Sequence, residues 1–204
     1  DIPSSLKKAV TVTLTGEWDS DAFNLLSMAL GNNGGLFVTT NATLVTLDMS
    51  RIKVAENTPL WRQGLKEYGI FNNCTALEKV IMPTAEEAGH FTKLNKAFEG
   101  CTALRDIDLS LLTGTTDIEA AFKGTAIEKA DLSGCTSLGS TVSAFEGCAA
   151  LQEVILPSCF VPANYTFADC TGLKLIDYTA YTDTEDAPAV KNNTFSGIDD
   201  LKSV

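Results

Sequence analysis

A short pattern of phenylalanine, cysteine and leucine recurs along the second two-thirds of the chain, and it limits the possible folds more than any other feature. Four copies keep the three residues at constant offsets, and they are Phe71-Cys74-Leu77, Phe98-Cys101-Leu104, Phe145-Cys148-Leu151 and Phe167-Cys170-Leu173. Two weaker copies begin at Phe122 and Phe195. The first is one residue shorter and lacks the cysteine, and the second has Ile198 in its place. An internal repeat of this kind is typical of proteins that stack one supersecondary unit on the next.

Each copy leads into an apolar run of the form L-x-x-I-x-L, as in Leu104, Ile107 and Leu109. The residues that open these runs, including an earlier run without the phenylalanine, are Leu44, Leu77, Leu104, Ile127, Leu151, Leu173 and Leu201. This form is the signature of leucine-rich repeats. A single repeat cannot bury its apolar face alone, whereas stacked repeats share a core and align their strands in parallel. The sequence therefore predicts an α/β fold, a right-handed leucine-rich-repeat solenoid with a parallel sheet of short strands, one per coil.

The extended run F-x-x-C-T-x-L-x-x-I-x-L-P resembles the BspA-like, or Treponema pallidum-type, leucine-rich repeats of surface and secreted proteins of Bacteroides-like bacteria. The resemblance covers residues 71–204, with a degenerate copy at residues 44–50. It implies a non-enzymatic protein at the cell surface or outside the cell, with its signal peptide removed. It also implies an adhesin-like role, in which the partner is a host matrix protein or a cell-surface protein.

The residues before the repeats are predicted to cap the stacked core. Residues 1–70 would form this cap together with a first degenerate repeat, and residues 71–204 would hold the leucine-rich repeats, all in one continuous domain. Residues 9–14 alternate in polarity and are rich in β-branched side chains, which favours a strand. Repeat proteins need such a terminal unit because the last repeat otherwise exposes its apolar surface.

Two helices are predicted within this cap. The first would begin at Asp19 or Ser20, either of which can accept hydrogen bonds from the free amides of a helix start. The second would cover residues 58–69, with Thr58 as the N-cap and Pro59 at the first helical position.

Composition narrows the choice of function. The chain carries 26 Asp+Glu against 15 Lys+Arg, a formal net charge of −11, which disfavours nucleic acid and anionic membranes as partners. No apolar run reaches the roughly 18 residues of a spanning helix, so no membrane insertion is expected. The single histidine, His90, excludes most His-based triads and His-rich metal sites, and it is interpreted as a surface loop residue. We therefore expect no cofactor, no metal and no enzymatic activity.

The cysteines have two interpretations. There are six, and four occupy one position of the repeat. Equivalent residues in stacked repeats lie about 5 Å apart with parallel Cβ vectors, and this direction suits a disulfide poorly. No C-x-x-C pair is present, so a thiolate metal site is disfavoured. A buried column of small apolar side chains is favoured over disulfides, which an even number of cysteines would permit.

The outward positions of the predicted strands are the candidate partner-binding residues. Alternation along each strand assigns to this face Asp48, Lys79, Ile81, Asp106, Asp108, Lys129, Asp131, Glu153, Ile155 and Asp177. Stacking would set Asp108 and Asp131 about one strand spacing apart, where two carboxylates repel each other. The hypothesis is that this acidic face meets a basic or hydroxyl-rich partner. The alternative is a sheet face that is simply solvated, whose aspartates aid solubility.

Other roles remain open at this point. The chain could be a structural spacer within a longer surface protein. It could also be an acidic-site hydrolase with paired carboxylates, although an open sheet face supplies no enclosed cleft for that chemistry. Self-association is possible if the end coil at residues 198–204 exposes its apolar side chains.

Overall fold

A computed structural model describes residues 10–30, 44–62, 68–179, 193–198 and 202–203. The elements in chain order are β1 (Val10–Trp18), α1 (Ser20–Ala29), β2 (Leu44–Val54), β3 (Trp61–Arg62), β4 (Tyr68–Gly69), β5 (Lys79–Ile81), α2 (Ala85–Ala88), β6 (Asp106–Ile107), β7 (Lys129–Asp131), β8 (Glu153–Ile155), β9 (Leu175–Asp177) and β10 (Lys202–Ser203). A 3-10 turn at Leu109–Leu111 follows β6. Short strands and few helices agree with an α/β repeat fold.

The strands from successive repeats pair in parallel, as the repeat pattern predicts. One four-stranded sheet has the order β1-β2-β5-β6, and a second has the order β10-β9-β8-β7. The prediction of one continuous sheet is wrong in the part of the chain that the structure describes, because β6 and β7 belong to different sheets although they come from consecutive repeats. The inward strand positions are buried as predicted, and examples are Val80, Ala130 and Val154.

The repeat phenylalanines form a continuous column through the core. Their rings stack nearly parallel, with centroids 5.3 Å apart for Phe71 and Phe98 and 5.7 Å apart for Phe98 and Phe122. The column continues through Phe145 and Phe167 to Phe195. The backbone is tied between repeats at the same level, since the Phe98 amide donates to the Ala121 carbonyl at 2.9 Å. The predicted stacking of repeat on repeat is therefore seen at these residues.

The cysteines also make equivalent contacts from one repeat to the next. All six thiols are free, and five are buried. The Cys101 thiol donates to the carbonyl of Phe71 in the preceding repeat at 3.1 Å, and Cys148 does the same to Phe122 at 2.9 Å. Burial raises the pKa of the Cys135 thiol to about 12, so this thiol stays protonated at neutral pH. Five of the cysteines are thus small side chains whose thiols donate to a backbone carbonyl of the preceding repeat, and they are Cys101, Cys135, Cys148, Cys159 and Cys170.

The first predicted helix is found and has the predicted type of start. The Asp19 carboxylate caps α1 by accepting from the Ala22 amide at 2.9 Å. Phe23 is fully buried, with ring centroids 5.0 Å from Trp18 and 5.9 Å from Phe91. The predicted strand is also present but runs on to Trp18, where it pairs with the end of β2.

The predicted helix over residues 58–69 is wrong, since β3 and β4 form a two-stranded antiparallel sheet within it. Thr58 does not cap a helix. Its amide donates to the His90 carbonyl at 3.0 Å, and its hydroxyl donates to the Ala55 carbonyl at 2.6 Å. The Leu60 amide likewise donates to the Lys93 carbonyl at 2.7 Å. Pairing with the next repeat thus satisfies the backbone groups that a helix would have used.

Candidate partner-binding face and cleft

The ten predicted face residues lie on strands, or directly beside strands, in the two parallel sheets. In the first sheet Asp48 is paired in register with Ile81, and Lys79 with Asp106. In the second sheet Lys129 is paired with Glu153, and Asp131, Ile155 and Asp177 form one row. The structure therefore brings these residues together within each sheet. It does not bring Asp108 and Asp131 into one row, because Asp108 lies after β6 and caps the 3-10 turn.

The aspartates of this face have a local role that the sequence analysis missed. Each of Asp48, Asp108 and Asp131 accepts, through one carboxylate oxygen, the amide and the hydroxyl of the serine two residues later. For Asp131 the distances from Oδ1 to Ser133 are 3.0 Å to the nitrogen and 2.6 Å to the hydroxyl. These are Asx-type contacts, which lie at the ends of β6 and β7 for Asp108 and Asp131 and within β2 for Asp48. The D-x-S and D-x-T spacing, which recurs at Asp48, Asp108, Asp131 and Asp177, was the signal that could have revealed them.

These hydrogen bonds affect ionisation. Hydrogen bonds from the Ser50 hydroxyl and amide lower the pKa of Asp48. The amide and hydroxyl of Thr179 lower the pKa of Asp177 in the same way. Both carboxylates are therefore ionised at neutral pH, and the face keeps its negative charge.

The lysines of the face are already paired with carboxylates of the same face. The Lys79 ammonium contacts Asp106, and Lys129 contacts Glu153 at 2.8 Å. The hydrogen bond to Glu153 raises the pKa of Lys129. These contacts cross between adjacent strands and pair two acids with cations. Among the described residues, no salt bridge joins a cation to Asp48, Asp108, Asp131 or Asp177.

A cleft opens in the face where the two sheets separate. It has a volume of about 420 Å³ and lies between the residues after Leu104 and the start of β7. The lining residues are Arg105, Asp106, Ile107, Asp108, Leu109, Glu128, Lys129 and Asp131. Four carboxylates and two cations line it, and both polar and apolar atoms are accessible. Four of the ten predicted face residues line this cleft, namely Asp106, Asp108, Lys129 and Asp131, and the other six do not.

The cleft follows from the one shortened repeat. Thr125 takes the place of the cysteine, since its amide donates to the Phe122 carbonyl at 3.1 Å as Cys101 donates to Phe98. One residue fewer then separates this position from Ile127 than in the complete copies. As a result the Ala126 amide donates to the Leu104 carbonyl at 2.9 Å, and β7 begins out of register with β6.

The edge of β6 that faces the cleft has unused backbone groups. The Asp106 amide donates to the Glu78 carbonyl at 3.2 Å on the side of β5. Alternate residues of a parallel strand direct their backbone groups to opposite neighbours. The amide and carbonyl of Ile107 therefore point towards β7, and no hydrogen bond joins these two strands among the described residues.

The facing edge of β7 is in the same situation. The Glu128 carbonyl accepts from the Glu153 amide at 3.3 Å on the side of β8. By the same alternation, the backbone groups of Lys129 and Asp131 point towards β6. Two strand edges with unpaired amides and carbonyls thus border the cleft, and such groups require a hydrogen-bonding partner.

A second cavity of about 620 Å³ lies where β1 and β2 end. Its lining includes Trp18, Glu87 and His90. Glu87 accepts from the Val54 amide at 2.6 Å, and the Nδ1 atom of His90 lies 2.7 Å from the Val54 carbonyl. His90 is therefore half-buried and hydrogen-bonded to the end of β2, which differs from the surface loop residue that the sequence suggested. Its contacts hold α2 against the sheet.

Three further predictions concern absences or lie partly outside the described residues. Within the described ranges, no group of three or more His, Cys, Asp and Glu side chains is arranged to hold a metal ion. No helix in the described part of the chain is long and apolar enough to cross a bilayer. Of the end coil at 198–204, for which self-association was considered, four of the seven residues lie outside the described ones.

Comparison with known proteins identifies the repeat. The family model described as BspA type leucine rich repeat region matches residues 67–202 in six copies. Repeats of this family are typical of protein-interaction and surface proteins, and they are in general not enzymes. No curated protein and no solved structure matches the chain.

Proposed function

Since the chain belongs to the BspA-type leucine-rich repeat family, we propose that it is a non-enzymatic, extracellular or cell-surface protein. Its activity is to recognise another protein, in an adhesin-like role, through the face that carries Asp48, Lys79, Asp106, Asp131 and their neighbours. The stacked repeats would wind as one right-handed solenoid. Residues 1–70 would cap it and supply the first degenerate repeat, and β1 pairs directly with β2 in support of this.

The cleft is the observation that carries this proposal. A sheet face that is only solvated needs no concavity, whereas this one has a cavity bordered by charged side chains and unpaired strand edges. Arg105, Asp106, Asp108 and Glu128 are exposed there. Binding sites are concave and combine apolar surface with a few polar groups, and this cleft has both.

The test is an array of purified matrix and cell-surface proteins probed with the purified chain. The face variant replaces two exposed acids of the cleft, Asp106→Lys and Glu128→Lys. The control variant makes the same charge change outside the face, Glu56→Lys and Glu86→Lys, both at exposed positions. We expect the wild-type chain and the control to bind the same protein, and the face variant to bind it about tenfold more weakly or worse.

Two outcomes contradict the proposal. Binding that is equal for the face variant and the wild-type chain would place recognition elsewhere on the molecule. The absence of any bound protein on the array would favour the role of structural spacer.

A further inference from the structure

We propose that the cleft between the two sheets binds an arginine side chain that the partner protein presents. This inference rests on the proposed function, because it names the chemical group that the sheet face recognises. On this chain, the groups that would accept hydrogen bonds from the guanidinium are the backbone carbonyls of Ile107 and Lys129 and the carboxylates of Asp108, Glu128 and Asp131.

Carboxylates outnumber cations in the lining of the cleft, four to two. Of the carboxylates that line it, Asp106 is paired with Lys79, whereas Glu128 has no ion pair with any described residue. Asp108 and Asp131 commit only one oxygen, Oδ1, to the serine of their turns. The second oxygen of each remains for a ligand, and carboxylates prefer charged donors to neutral ones.

Among the described residues, the cations of the lining form no salt bridge with Asp108, Glu128 or Asp131. The Lys129 ammonium is bound to Glu153, which does not line the cleft. The Nε atom of Arg105 donates to the carbonyl of Ala103, at 3.4 Å, within its own turn. No salt bridge joins Arg105 to a carboxylate among the described residues. The cleft therefore keeps a negative charge that a cationic group of a partner can neutralise.

The shape of the site favours arginine over lysine. The two walls are the edges of β6 and β7, and by the alternation of parallel strands the backbone groups of Ile107 and Lys129 are directed across the cleft. The carboxylate of Asp108, which begins the 3-10 turn after β6, also lines it. A guanidinium is flat, carries five N–H donors in a fixed plane and accepts no hydrogen bond. It can therefore donate to both walls and to a carboxylate at once, which an ammonium group cannot do with the same geometry. The volume of about 420 Å³ also leaves room for water at the strand amides.

The probe is the tripeptide acetyl-Gly-Arg-Gly-amide, titrated into the ¹⁵N-labelled chain and followed by two-dimensional NMR. The citrulline analogue has the same shape without the charge, and the lysine analogue has the charge without the planar fork. We expect saturable shifts of the Ile107, Lys129 and Asp131 amide signals with arginine. The shifts with lysine should be weaker, and citrulline should cause none.

The variants use a substitution that keeps the turns. In Asp108→Asn with Asp131→Asn, the side-chain oxygen can still accept from the serine, but the charge is lost. Asp19→Asn makes the same change outside the face and the cleft, at a carboxylate whose Oδ1 accepts only the Ala22 amide, and it is the matched control. We expect the double variant to bind the arginine peptide about fivefold more weakly or worse, and the control to bind within about twofold of wild type.

Three results would overturn the inference. They are the absence of saturable shifts at the cleft amides, equal binding of the citrulline peptide, and unchanged binding by the double variant. Glu128→Gln, which lies outside the turns, replaces the double variant if the NMR spectrum shows that the latter is unfolded. A protein that binds the face on the array while the arginine peptide fails would leave the proposed function standing and remove this inference alone.

Discussion

In the repeats of Phe98, Phe122, Phe145 and Phe167, two residues adopt a left-handed backbone conformation, one two positions before the phenylalanine and one two positions after it. The repeats of Phe71 and Phe195 have only the later of the two, at Asn73 and Gly197. The later position is visible in the sequence, because it holds Gly100, Gly124 and Gly147, or asparagine and aspartate in other copies. The earlier position holds Lys96, Ala120, Ser143 and Tyr165, with φ between 50° and 60°. Lysine, alanine, serine and tyrosine have no marked preference for the left-handed conformation, so the sequence does not indicate it at this position.

Contacts between repeats, rather than local preference, impose the earlier position. The Lys96 amide donates to the Glu119 carbonyl at 2.8 Å, and the Ala120 amide donates to the Val142 carbonyl at 2.9 Å. The backbone must turn at each of these residues to reach the next repeat. The sequence could therefore predict half of the turn geometry, and the other half depends on stacking that no local pattern shows.

Lys96 provides a direct test of this strain. Lys96→Gly removes the side chain that clashes at φ 57°, and Lys96→Val adds a branched one. We expect glycine to change the free energy of unfolding by between zero and about 1 kcal/mol in the stabilising direction. Valine should destabilise by about 1–2 kcal/mol. Urea unfolding followed by circular dichroism measures both, and a stabilising valine would contradict the assigned backbone.

The phenylalanine column is the second feature at this scale. Phe122 is fully buried and stacks on Phe98 and Phe145. Phe122→Ala leaves a cavity within the column and should cost about 3–5 kcal/mol of unfolding free energy. The control, Val142→Ala, removes methyl groups from an exposed side chain and should cost about 0.5 kcal/mol or less. If the two variants lost the same free energy of unfolding, the phenylalanine column would not be the main contributor to the stability of the core.

At the scale of the element, the sequence predicted β1, α1 and the parallel strands because their signals are strong and local. Alternation marks the strands, and Asp19 marks the helix start. The region 58–69 shows the limit of this method. Thr58 and Pro59 are good signals for a helix start, yet β3 and β4 form there, because the backbone pairs with residues far along the chain.

Gly69 distinguishes the two structures for this region. A Cβ atom at Gly69 would lie 1.7 Å from the Lys96 carbonyl oxygen, so Gly69→Ala should destabilise by about 1–3 kcal/mol. At the end of the predicted helix the same change would meet no such contact and should cost no more than about 1 kcal/mol. The control is Gly139→Ala, whose Cβ would lie 3.5 Å from the Thr116 oxygen, an ordinary contact. Thermal unfolding compares the two variants, and a Tm for Gly69→Ala as high as that of the control would contradict the close approach of Gly69 to Lys96.

At the scale of the whole molecule, the buried thiols make stability depend on pH. Burial raises the pKa of Cys101, Cys135, Cys148 and Cys170, whereas an unfolded thiol ionises near pH 8.5. Their contribution is fully present below about pH 8.5 and is lost as the pH rises towards the folded pKa values.

Above about pH 8.5, the free energy of unfolding should fall by up to about 1.4 kcal/mol per pH unit for each of these thiols. Urea unfolding between pH 7 and 9.5, with a reducing agent present, measures the loss. In Cys135→Ala, the slope of the free energy of unfolding against pH should be smaller by the contribution of one thiol. Stability that is constant over this range would mean that the thiols are accessible to solvent.

The arrangement of the sheets was only partly predictable. Parallel pairing of successive strands follows from the repeat, and the shortened copy at Phe122 is visible in the sequence. The consequence of that missing residue was not predictable. It depends on which contacts between repeats change when one repeat is a residue shorter. In the structure β6 and β7 do not pair, whereas the phenylalanine column continues. The cleft could not be anticipated for the same reason.

One missing residue separates β6 from β7 and opens the cleft, and the proposed recognition depends on this opening. Inserting a threonine between Thr125 and Ala126 restores the spacing of the complete repeats and tests this claim most directly. Hydrogen exchange of the Ile107, Lys129 and Asp131 amides, followed by NMR, is the measurement. We predict that the insertion slows exchange at all three amides, because β6 and β7 then pair. Exchange that stays as fast as in the wild-type chain would contradict the account.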